Sequence, residues 1–323
     1  MRAMPAMPAM PAMAGMPPDG LLRNTVGIPP SQGPSMRTRL PALVFLAALA
    51  ALPAPPLGAG ERETRLQAVD RADYHRLTPD EPDGVYHVHV RMPESHEPGA
   101  DRRYPAVYLL DGGNMFPLLA GYYRYLELGE EVPELILVSV SYGTDYFREG
   151  NQRSRDYTAE APEPEFWGGA DAFLGFLREA LIPLVESRYP ADPERRVILG
   201  QSLGGQFVLY SALQPDAPFW GHIAINPALH RNLPLFLEAP GKTFNGPRRR
   251  LYLASGADDL PRFRGPALSW IGHWTMQQDT PWDLEAEILP GESHFSAAPP
   301  AFRRGIRWLF GMEEPISAPA TAQ

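Results

Sequence analysis

From Glu61 onward, short apolar runs alternate with segments of helical periodicity. Gly84 to Met92 alternates Val and Tyr with His87 and His89, the pattern of a strand with one buried face. Tyr104 to Leu110 is a continuous apolar run ending in Asp111-Gly112-Gly113, Met115 to Leu128 is helix-like, and Leu135 to Ser141 is another apolar strand. Tyr142 to Gly168 reads as a long polar loop. Ala170 to Tyr189 follows as an amphipathic helix with Phe173, Phe176, Leu177 and Leu181 on one face. The second half predicts strands at Arg195 to Leu199, Gly221 to Asn226, Arg250 to Ser255 and Leu284 to Leu289. Helices are expected at Leu203 to Leu213, near Ala267 to Gln277, and at Phe302 to Phe310. Strands that are apolar on both faces need cover on both faces. The pattern therefore predicts an α/β domain over about 62–312, with a mostly parallel central sheet, helices on both sides and no internal repeat.

The flanks differ from this core. Met4-Pro5-Ala6 recurs as Met7-Pro8-Ala9 and Met10-Pro11-Ala12, and proline at every third position removes the donors that a packed segment needs. Residues 1–35 are thus expected to be a low-complexity tail, disordered or not translated, with the true start at Met36. Met36-Arg37-Thr38-Arg39, the apolar run Leu40 to Leu52 and the small residues to Gly60 have the layout of a secretory signal peptide over 36–60. Export to the periplasm or the medium follows as the expectation, with no stable membrane insertion after cleavage. Residues 313–323 read as a Pro/Ala-rich disordered tail.

Composition narrows the chemistry. A net charge of −9 argues against a nucleic-acid partner, and the absence of cysteine excludes disulfides, thiolate metal sites and cysteine nucleophiles. Nothing in the sequence speaks to oligomeric state.

Between the strand ending at Leu199 and the helix starting at Leu203 stands Gly200-Gln201-Ser202-Leu203-Gly204-Gly205. A Gly-x-Ser-x-Gly in a strand–turn–helix context is the nucleophile elbow of an α/β-hydrolase: a sharp turn holds the serine hydroxyl exposed, and the helix N-terminus faces the developing oxyanion. That fold orders its partners as serine, acid, histidine, each on a loop after a later strand. Of eight histidines, His294 lies between the last strand and the final helix, in Pro290-Gly291-Glu292-Ser293-His294. His87 and His89 share a strand face and are expected to face solvent, and His273 between Trp270 and Trp274 is expected to pack. The acid follows the strand Leu251 to Ala254, where Asp258 and Asp259 both qualify, with Glu292 as a third candidate. The oxyanion donors are expected at the N–H of Leu203 and in the Asp111-Gly112-Gly113 loop, at Gly113. Arg153 and Arg155, on the loop after a central strand, could meet an anionic substrate or form an ion pair with Asp156.

Tyr-Leu-Leu-Asp-Gly-Gly at 108–113, Arg153-Ser154-Arg155-Asp156-Tyr157-Thr158, the elbow, Asn226-Pro227-Ala228-Leu229 and Pro290 to His294 occur in that order. Together they resemble the Putative esterase family of α/β-hydrolases, which includes esterase D-like, feruloyl-type and siderophore esterases and mycolyltransferases. The resemblance covers about Gly84 to Phe310. It implies serine ester hydrolysis without cofactor or metal, acting on a small-molecule ester, with Ser202 as nucleophile, His294 as base, Gly113 as oxyanion donor and Asp259 as acid. It leaves open a siderophore-lactone esterase, an acyltransferase on the same fold, and a non-catalytic binding protein. Two departures bear on substrate preference: Gln201 stands where many members have His, and Asn226-Pro227-Ala228-Leu229-His230 replaces Ser-Pro-Ser-Leu-Trp, a stretch near the active-site rim that makes Asn226 a candidate substrate contact.

Overall fold

The computed structural model describes residues 72–144, 150–160, 168–238 and 248–312. The expected leader and both tails lie outside them. Among the described residues, eight strands, numbered in chain order, form one sheet in the order β1-β2-β4-β3-β5-β6-β7-β8. The strands are β1 (Ala72–Leu77), β2 (Tyr86–Arg91), β3 (Tyr104–Leu109), β4 (Ile136–Ser141), β5 (Ala191–Gln201), β6 (Gly221–Ile225), β7 (Arg249–Gly256) and β8 (Trp282–Leu289). β1 and β2 run antiparallel at one edge, and β4, β3, β5, β6, β7 and β8 are mutually parallel.

The helices divide between the two faces. α1 (Gly112–Leu128) and α8 (Ala298–Leu309) cover one, packing Phe116, Leu119, Phe302 and Ile306 on Val107, Leu137, Leu199 and Tyr252. α3 (Ala170–Phe176), α4 (Ile182–Arg188), α5 (Leu203–Leu213) and α7 (Pro261–Thr275) cover the other, packing Phe173, Phe207, Trp270 and Trp274 on Tyr108, Val138, Ile198 and Leu253. Successive strand residues thus enter opposite cores, as the pleat requires. This is why the central strands read as unbroken apolar runs. Truncating a fully buried Phe of either core, such as Phe302, costs about 3–5 kcal/mol. No helix of the described residues is long and apolar enough to cross a membrane.

Several elements differ from expectation. β1 is a mostly polar edge strand, and the short α6 (Leu233–Leu237) was hidden in a loop. α1 begins at Gly112 and α7 at Pro261, in each case before the apolar periodicity starts. The expected helix 170–189 contains a π-turn at Leu177–Leu181, just before Pro183, whose ring nitrogen cannot donate to a regular turn. The loop after β4 holds one helical turn, α2 (Arg153–Asp156). His87 and His89 are both half-buried rather than fully solvent-facing: the His89 ring lies 5.7 Å from that of Phe116 on α1, and His87 Nδ1 is 2.7 Å from the Tyr74 hydroxyl. His273 packs edge-on against Trp274.

Candidate active site

Because β3 and β5 to β8 are parallel, the loops after them open on one edge of the sheet, where α/β folds hold ligands. Asp111, Ser202, Asn226, Asp259 and His294 all stand there, immediately after β3, β5, β6, β7 and β8.

At the end of β5 the chain reverses sharply. Ser202 has φ 59° and ψ −117°, a backbone state that persists only where the surroundings enforce it. Three bonds do so: its N–H donates to the Ile225 carbonyl, and its own carbonyl accepts from the N–H groups of Gln206 and Ala228, each at 3.0 Å. A Cβ on Gly200 would sit 2.4 Å from the backbone of Gly204, and one on Gly205 would sit 2.8 Å from the Ile225 carbonyl oxygen. Strand and helix touch at these two positions. Gly204 differs, since a Cβ there would meet nothing nearer than 3.5 Å.

His294 and Asp259 are both buried, with Nδ1 of the imidazole 2.9 Å from Oδ1 of the carboxylate. The same Oδ1 accepts from the Leu260 N–H at 2.5 Å. With the Nδ1 proton directed at the carboxylate, Nε2 carries the lone pair. Phe263, from the first turn of α7, stacks on the imidazole at 4.4 Å and 23° between planes, and the Arg262 guanidinium lies 4.5 Å from the Phe263 ring centre. Asp258 is exposed, and its N–H donates to the Glu292 carbonyl at 2.9 Å. Among the described residues, Asp259 supplies the one carboxylate bonded to His294.

Ser202 and His294 open on a shared cavity of about 450 Å³, lined also by Asp111, Asn114, Arg153 and Gln201 and by the apolar Met115, Leu118, Leu260, Phe263 and Phe295. A larger hollow of about 760 Å³ lies at the opposite sheet edge. It holds no Ser–His pair. Its Arg249 is spent on the carbonyls of Gln214, Pro215 and Ala217, and its Arg250 on that of Leu309. The smaller cavity is therefore the candidate site.

The other expected residues fall as follows. Leu203 is the first residue of α5, so its N–H has no acceptor within the helix. Gly113 lies in the first turn of α1, beside the cavity residues Asp111 and Asn114, and itself borders a small adjoining recess. Arg153 does reach the cavity, but its guanidinium is paired bidentately with Asp111, both bonds 2.7 Å. Arg155 does not reach it. It binds Asp156 at 2.7 Å and Asp83 at 2.6 Å, neither of which lines the cavity. Asn226 is fully buried and does not line the cavity, so a substrate contact is not where the structure places its amide. Phe263, Arg262 and the Asp111 carboxylate were not singled out from the sequence, and Gln201 was noted there as a departure from the family's His rather than as a residue of the cavity wall. Phe263 meets His294 and Asp111 meets Arg153 across separate elements, so only the adjacency of Gln201 to Ser202 offered a signal.

A family model described as "Putative esterase" matches residues 80–294. The chain is 35% identical over 255 residues to the ferri-bacillibactin esterase BesA of Bacillus subtilis (strain 168), covering 72% of this chain and 86% of that one. It is 31% identical over 171 residues to the apo-salmochelin esterase of Escherichia coli O6:H1, covering 49% and 52%. Among solved structures, siderophore hydrolase EstB from Aspergillus nidulans superposes with a TM-score of 0.64 at 21% identity, covering 76% of this chain and 96% of that one. At that identity the match bears on the fold, which is that of an α/β-hydrolase.

Proposed function

The chain belongs to the Putative esterase family and is a serine esterase, and from that premise we propose that it cleaves carboxylic esters through an acyl-enzyme on Ser202. His294 Nε2 takes the Ser202 proton as Oγ attacks the ester carbonyl. Asp259 holds the imidazole and stabilises the imidazolium that forms. The carbonyl oxygen becomes an oxyanion, which the N–H of Leu203 and a first-turn amide of α1, Gly113 by preference, stabilise by about 3 kcal/mol per donor. Collapse of this intermediate breaks the ester C–O bond, and His294 returns its proton to the leaving alkoxide. Water, deprotonated by His294, then attacks the acyl-serine and releases the acid.

The observation that carries this reading is the 2.9 Å Asp259–His294 bond beside Ser202 on one cavity. For the substrate, we infer a bulky siderophore-type ester or lactone. BesA and the apo-salmochelin esterase support that class by their names, and the aromatic wall of Phe263 and Phe295 suits a large, flat acid part. The segment 36–60 supports export before the enzyme meets such a substrate.

Hydrolysis of p-nitrophenyl esters of increasing chain length, beside a catecholate trilactone, tests this reading. Ser202-dependent release of the acid is expected, with the trilactone preferred. Transfer of the acyl group to an added alcohol ahead of water would make the protein an acyltransferase. Activity that survives Ser202→Ala would end the proposal.

A further inference from the structure

His294 is held at both its ends. Its ring is fixed by Asp259 and Phe263, and its main chain by two side-chain amides from other strands. Asn226, at the end of β6, has φ 43° and is fully buried. Its Oδ1 accepts the Gly256 N–H at 2.7 Å, at the root of the loop that carries Asp259. Its Nδ2 donates to the carbonyls of Ser293 at 3.1 Å and His294 at 3.2 Å. Gln201, the residue before Ser202, donates its own Nε2 to the same His294 carbonyl. The carbonyl of His294 thus receives one donor from the end of the serine's strand and one from the end of β6.

Resting on the triad reading above, we propose that Asn226 and Gln201 are positioning residues, a double amide latch that sets where the His294 imidazole stands relative to Ser202 and Asp259. Asn226 alone satisfies one donor on the acid's loop and two acceptors on the base's loop. Any slip between those loops breaks at least one of its bonds. An aspartate at 226 would keep the acceptor toward Gly256 but aim an oxygen at two carbonyls, pushing the base loop outward. A methionine at 201 keeps the length and removes the donor.

The test compares Asn226→Asp, Gln201→Met and Ser202→Ala with the wild-type protein, on a p-nitrophenyl ester. A displacement of about 1 Å in a reacting group costs on the order of 100-fold. Each latch variant should therefore lose about 10- to 100-fold in kcat, and in Asn226→Asp, which changes no cavity residue, KM should stay within about threefold. The downfield proton resonance of the His294 Nδ1–H···Asp259 bond should broaden in both. Should Asn226→Asp fail to fold, Gln201→Met carries the kcat and resonance readings. Wild-type kcat, a change in KM alone, or an unaltered downfield resonance in the folded variants overturns the latch. If Ser202→Ala is dead while the latch variants turn over normally, only the latch falls. If Ser202→Ala is active, the esterase mechanism falls with it.

Discussion

Asp259 and His294, 35 positions apart in the chain, meet at 2.9 Å in a buried pair, whereas the neighbouring Asp258 is exposed. Two adjacent aspartates on one turn cannot point the same way, and the turn sends only one of them inward.

Asp259→Asn should therefore lower kcat by about 10⁴-fold, because the amide holds the imidazole in the wrong tautomer. Asp258→Asn should stay within about twofold of wild type, as surface changes do. Steady-state kinetics on the two variants side by side separates them, and the reverse ranking would move the acid by one residue.

Ser202→Ala and His294→Ala should each cost about a million-fold in kcat, and the double variant no more, since the pair acts as a unit. A phosphonate probe should label Ser202 in the wild type and fail to label either variant, as mass spectrometry of the tryptic peptide would read.

Arg153 neutralises Asp111 at the cavity wall, where both side chains are only 11% and 13% exposed. Arg153→Ala should leave a bare carboxylate facing the developing oxyanion, and at an effective dielectric near 20 such a charge several ångströms away costs a few kcal/mol. The expected loss in kcat is about 10- to 100-fold, partly restored in Arg153→Ala/Asp111→Asn. If the single variant changes KM alone, Arg153 is a substrate contact instead.

Arg155 supports the fold rather than the site. It pairs with Asp156, which is fully buried and also accepts from the Tyr86 and Tyr142 hydroxyls at 2.7 and 3.0 Å. Burial raises the pKa of that carboxyl, and Arg155 opposes the rise. Arg155→Ala should leave kcat/KM unchanged and lower stability by about 3 kcal/mol, or Tm by about 5–10 °C, in a thermal scan.

His222, inside β6, has its pKa lowered from 6.5 to about 3, first by burial and then by Arg249. The unfolded chain takes up this proton near pH 6.5 and the folded chain only near pH 3. Between those values the unfolded state holds more protons, so stability falls as the pH drops below 6.5 and is recovered toward neutrality. Urea titrations from pH 6.5 to 4 should show His222→Asn losing about 1.4 kcal/mol per pH unit less than wild type. Parallel slopes for the two proteins would show that His222 titrates in the folded state as freely as in the unfolded one.

What the sequence determined by itself was local. The apolar runs at 104–110, 135–141 and 197–199 marked buried parallel strands because a strand covered on both faces has no polar position to spare. The elbow was legible because every requirement of that turn is met within six residues, and chain order singled out His294 and the Asp258–Asp259 pair as partners. Amphipathic periodicity located α1 and α7 but not their first turns, where Gly112 and Pro261 begin the helices outside the apolar pattern. The polar edge strand β1 carries no buried face, so it left no pattern to read.

The tertiary structure decided everything that depends on two distant segments meeting. It turned Asp259 rather than Asp258 toward the imidazole, gave Arg153 to Asp111 and Arg155 to Asp156, and drew Asn226 away from the rim and into the joint between the acid and base loops. Each of these is a choice among partners of equal chemistry. Such choices are made by the twist and register of the sheet, which set where the ends of β3 and β5 to β8 stand, and no local run of residues encodes that distance.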